Sequence, residues 1–66
     1  PTKEEIERAA VYNLAWRKRS GQEIPPIGEP FTFLIEGEDR GRFMFVSERL
    51  LAAADAVNVD LAREDG

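Results

Sequence analysis

The chain has 66 residues, 33% of them charged, a net charge of −4, and neither Cys nor His. Disulfides and the common Cys/His zinc site are therefore excluded, and the two commonest side chains of general-base and nucleophilic catalysis are missing. A chain of this size buries only about 60% of its unfolded surface, so a single compact domain over residues 1–66 has to find the rest of its stability in close packing or in oligomerisation.

The acidic balance has the wrong sign for a general affinity for nucleic acid or anionic membranes. No apolar run approaches the ~20 residues of a membrane span. The polar, acidic start does not read as a signal peptide, and an initial Pro fits removal of an initiator Met. A cytoplasmic location is the expectation, with the lack of Cys compatible with a reducing compartment.

Thr2-Lys3-Glu4-Glu5 has the form of a capping box, in which Thr2 and Glu5 satisfy each other's backbone donors. Acidic residues cluster at this end. Arg17, Lys18 and Arg19 occupy the far end, where cations complement the helix dipole. Gly21 supplies a stop. These signals predict a helix over 3–19.

Ile6, Ala10, Val11 and Leu14 form its core-facing arc. Ala9, Tyr12 and Trp16 form a second arc near Arg8 and Arg19. Two readings fit the second arc. The rings fold over the following loop with their polar tips wet, or they form a protein contact. Trp, Tyr and Arg are the types enriched at interface hot spots, so Tyr12, Trp16 and Arg19 are candidate partner-binding residues.

Residues 22–30, QEIPPIGEP, hold three of the four prolines. Pro25-Pro26 favours an extended path, with Ile24 and Ile27 as apolar anchors that cover one edge of the core.

Residues 31–46 carry the hairpin signal: FTFLIE and RFMFV around a glycine-bounded polar turn. All four Phe of the chain lie here. Strands are expected at 31–36 and 42–46. Setting Glu36 opposite Arg42 gives a cross-strand ion pair. It also collects Phe31, Phe33, Ile35, Phe43 and Phe45 on one face. Gly37 and Gly41 would supply positive φ in a loop of three or five residues. The other face then presents Leu34, Met44 and Val46. Nothing in the chain obviously covers that face, so these three join the candidate partner-binding set.

Ser47 is a good N-cap for a second helix over 47–62. Leu50, Ala54, Val57 and Leu61 form its stripe. Val57, Val59 and Leu61 could instead alternate as a strand, but no Gly or Pro interrupts 55–62, which favours helix. Residues 63–66 read as a frayed end.

The expected fold class is thus α+β, in the order helix, strand, strand, helix. A lone two-stranded sheet is marginal in water, and its open edges invite extension across a dimer. Glu36, Glu38 and Asp39 at the hairpin tip lack EF-hand spacing and enclose Arg40, so they read as a solvated turn rather than a cation site. No cofactor is implied. The element order resembles that of small phage head–tail joining proteins, a likeness of order alone, which transfers no function. Inhibitors encoded by mobile elements fit the same profile.

Two functions follow. The first is a small non-enzymatic protein-interaction module, self-associating or bound to a larger assembly. The second is a nucleic-acid-binding regulator using Arg17, Lys18, Arg19, Arg40 and Arg42. It meets the unfavourable net charge and the lack of a helix-turn-helix or RNA-binding motif.

Overall fold

The computed structural model describes residues 1–65 and orders them as α1 (Lys3–Arg19), β1 (Pro30–Phe33), β2 (Arg42–Phe45) and α2 (Glu48–Asp65). This is the expected α+β order of two helices around a two-stranded antiparallel hairpin.

The first helix starts and stops as its punctuation dictates. Thr2 Oγ1 accepts from the Glu5 N–H, and the Thr2 N–H donates to the Glu5 carboxylate, both at 3.1 Å. At the other end Gly21 adopts φ +74°, a value that costs a residue without Cβ little. The Gln22 N–H then reaches the Arg17 carbonyl and the Gly21 N–H the Lys18 carbonyl, the paired bonds of a Schellman stop. The second helix is capped by Ser47, whose Oγ accepts from the Leu50 N–H at 3.2 Å. It continues through Asp65, so Val57, Val59 and Leu61 are helical and the frayed end expected from residue 63 is helix instead. Gly66 lies outside the described residues.

The core gathers Ala10, Val11, Leu14 and Ala15 of α1, Phe31 and Phe33 of β1, Val46, and Leu50 and Ala54 of α2. Each of the larger side chains here contributes about 1.5–3 kcal/mol by leaving water. The alanines at the helix contact are fully buried, and their small size lets the helices approach. Among the described residues, three polar ties cross between α1 and α2. Glu7 pairs with Arg49 at 2.9 Å, Lys18 with Asp55, and Asn58 Nδ2 donates to the Ala15 carbonyl at 3.1 Å. Glu7 and Arg49 lie near the starts of the two helices, while Ala15 and Lys18 meet Asn58 and Asp55 in reversed order, so the ties hold α1 to α2 at two separate places.

The hairpin register differs from the expected one by three residues. Pro30 faces Phe45, Phe31 faces Met44, Thr32 faces Phe43 and Phe33 faces Arg42. The cause lies in the connector. The Gly28 N–H donates to the Val46 carbonyl and the Val46 N–H to the Glu29 carbonyl, both at 2.9 Å. These bonds extend the ladder towards the connector and hold the register there. Both strands end early, at Phe33 and Phe45, and residues 34–41 form the loop.

The odd offset exchanges the faces of one strand relative to the other. Phe31, Phe33, Met44 and Val46 turn to the core, while Phe43 and Phe45 turn outward. The expected face of four Phe residues is therefore split. Arg42 bonds Glu38, four residues earlier in the loop, and not Glu36. Gly37 has the expected positive φ, at +89°, but Gly41 does not. Gly41 is required for closeness instead, since a Cβ there would lie 2.8 Å from Thr32 Cγ2.

Candidate interaction surface

The outward face of the hairpin is built by Pro30 and Thr32 on β1 and Phe43 and Phe45 on β2. Phe43 remains 57% exposed and Phe45 61%. Their rings meet edge to face with centroids 5.6 Å apart and planes at 84°, a favoured aromatic geometry. None of the four residues is charged, in a chain one-third charged. The backbone behind them is fixed on its inner side by the core, where Phe31 and Phe33 stack at 5.6 Å. The face is therefore apolar and uncovered, on strands whose other side packs into the core.

The expected Leu34/Met44/Val46 surface does not form. Val46 is 2% exposed and belongs to the core, and Met44 is half-buried against it. Leu34 is 69% exposed, but it lies past the end of β1. There it borders a shallow depression of about 390 Å³ with Tyr12, Arg8 and Ile35. The three were grouped by the expected register, and the three-residue offset separates them. Phe43 and Phe45 were missed as surface residues for the same reason. No side-chain signal in the sequence finds them, because the register is held by backbone bonds between Gly28, Glu29 and Val46.

On α1, Tyr12 and Trp16 are both more than half exposed. They stand one turn apart on the flank of the helix, with Tyr12 beside the loop after β1 and Arg19 exposed near the helix end. This is a second aromatic surface, separate from the hairpin face. Ile24 packs on the core as the connector's anchor, whereas Ile27 is exposed.

Three of the five candidate phosphate-binding cations are occupied within the chain. The Arg17 guanidinium lies 4.7 Å from the centroid of the Phe31 ring, a cation–π contact that also covers the ring. Lys18 pairs with Asp55, and Arg42 donates to both oxygens of Glu38. Arg19 and Arg40 are exposed and form no ion pair among the described residues.

The titrating groups follow these contacts. The hydrogen bond from Arg42 holds the Glu38 carboxyl below its ordinary value and raises the Arg42 guanidinium in turn. The Thr2 backbone N–H, followed by the Thr2 side chain, lowers Glu5 at the helix start. A concavity of about 590 Å³ at the hairpin tip is lined by the consecutive residues Glu38 to Phe43. It is the inside of the loop, with Glu38 already engaged by Arg42. Among the described residues no group of three or more His, Cys, Asp or Glu is placed to hold a metal ion, and no helix is long and apolar enough to cross a membrane.

No protein-family model, curated protein or solved structure matches this chain. The resemblance of element order to phage joining proteins therefore has no matching relative behind it.

Proposed function

We propose that this protein is a non-enzymatic protein-interaction module whose contact surface is the outward face of the hairpin. The observation that supports this reading is the pair Phe43 and Phe45, more than half exposed, in mutual edge-to-face contact, on a backbone fixed from behind. Two large apolar rings held in water gain free energy on being covered, at about 25 cal/mol per Å² removed from solvent. Their rigidity lowers the ordering cost of binding. Rigid aromatic anchors of this kind are what dominate protein interfaces.

The test is photo-crosslinking in cells that make the full chain. A photoreactive phenylalanine analogue is placed at Phe43 and, as a control, at the exposed Glu64 of α2. Position 43 should give a discrete protein adduct that disappears when Phe45→Ser is added. Equal, diffuse labelling from both positions would refute the reading.

A further inference from the structure

The turn before β1 holds the hairpin in one of two pairings. The Glu29 N–H donates to the Pro26 carbonyl at 3.0 Å, closing a four-residue turn. Gly28, its third residue, has φ +91°, while Ile27 before it is not at positive φ. Those values define a type II turn. The Gly28 N–H and the Glu29 carbonyl then both bond Val46. Two residues stand opposite one, and the first is a glycine at positive φ, which makes a G1 bulge.

We infer that this turn and bulge are a register lock, and that opening it lets the hairpin slide to a second register with Glu36 opposite Arg42. The second register satisfies what the first leaves open. In the first, residues 34–41 form the loop, longer than the about two to five residues usual in a hairpin. Leu34 is 69% exposed there, and Phe43 and Phe45 face water. In the second, the loop shortens to 37–41 and Leu34 pairs with Met44, while Phe43 and Phe45 turn to the side of Phe31 and Phe33. Its costs are the burial of Val46 and both backbone bonds that tie Val46 to Gly28 and Glu29. Those bonds need the bulge, and the bulge needs the positive φ. The choice between the two pairings thus passes through one backbone angle.

Gly28 is a clean place to turn that angle. A Cβ there would meet nothing within 4 Å, so a side chain acts through φ alone. An L-residue disfavours positive φ and a D-residue favours it. The lock is a property of the single chain. It keeps Phe43 and Phe45 outside whether or not a partner covers them.

Disulfide trapping reads the two registers, in a chain that has no Cys of its own. Thr32→Cys/Phe43→Cys joins residues that face each other in the first register. Leu34→Cys/Met44→Cys joins residues that meet only in the second, since Met44 in the first faces Phe31, and Cα atoms more than ~7 Å apart do not bridge. Leu34→Cys/Phe45→Cys is face to face in neither and serves as the control. Each pair is made by chemical synthesis in three forms, with glycine, with Gly28→Ala, or with D-alanine at that position. Closure is timed under one fixed oxidant.

Gly28→Ala should speed closure of the 34–44 pair relative to the 32–43 pair by about tenfold, and D-alanine should slow it. Equal ratios in all three forms overturn the lock. So does a shift in the same direction for both alanines. A control pair that speeds up as much as 34–44 means that the chain unfolds rather than slides, and overturns the second register. None of these readouts involves a partner, so crosslinking from position 43 stands or fails separately.

Discussion

Truncating the four Phe residues to Ala one at a time tests the hairpin register in solution. Phe31 and Phe33 are 1% and 4% exposed, so each truncation removes a whole buried ring and leaves a cavity, at about 3–5 kcal/mol. A domain of this size is stable by roughly 3–10 kcal/mol in total, at 0.05–0.15 per residue. Phe31→Ala and Phe33→Ala should therefore be largely unfolded or close to it. Phe43 and Phe45 keep less than half of their surface out of water, roughly 80–90 Å² of ~200 Å² each. Part of that is backbone and Cβ, which Ala retains. The cost is then about 1 kcal/mol, the edge-to-face contact included. Urea unfolding followed by far-ultraviolet circular dichroism at low protein concentration measures all four. With Glu36 opposite Arg42, all four rings would face the helices and all four truncations would be severe. If Phe43→Ala and Phe45→Ala cost as much as Phe31→Ala, the register described above is wrong.

Two further perturbations probe the loop. Gly41→Ala places a methyl 2.8 Å from Thr32 Cγ2 and should destabilise by about 1 kcal/mol. Thr32→Ser removes that methyl and should recover most of the loss in a double-mutant cycle; additive effects would show that the contact is absent. The second perturbation is acid. Glu38 is held below the ordinary glutamate value of 4.5 by the Arg42 hydrogen bond. Its contribution to stability is fully present above that value and is lost as pH falls through the lowered folded value. The urea midpoint should fall below pH 4.5, and Glu38→Gln should flatten part of that fall. Identical pH profiles for variant and parent would remove Glu38 from the account.

The helices were legible because their ends are written in local chemistry. Thr2 and Glu5, Ser47, and Gly21 each act within four or five residues of themselves, and each appears in the structure as its type implies. The inner arc of α1 was legible for the same reason, since helical spacing alone places Ala10, Val11 and Leu14 together. The register was not legible. Both strands alternate apolar side chains on both faces, so the side-chain pattern is satisfied by more than one pairing. The choice falls to backbone bonds between Gly28, Glu29 and Val46, and backbone groups leave no mark on composition. The error carried over directly into the candidate contact residues. Met44 and Val46 exchanged places with Phe43 and Phe45, while Tyr12 and Trp16, which helical periodicity sets on one flank of α1, are both more than half exposed.

The placing of the ties between α1 and α2 has a mechanical consequence. One, Glu7–Arg49, lies near the start of both helices, and two, Lys18–Asp55 and Asn58–Ala15, lie further along. Held at two separate places, neither helix can swivel over the other about the alanine contact without breaking one of these ties.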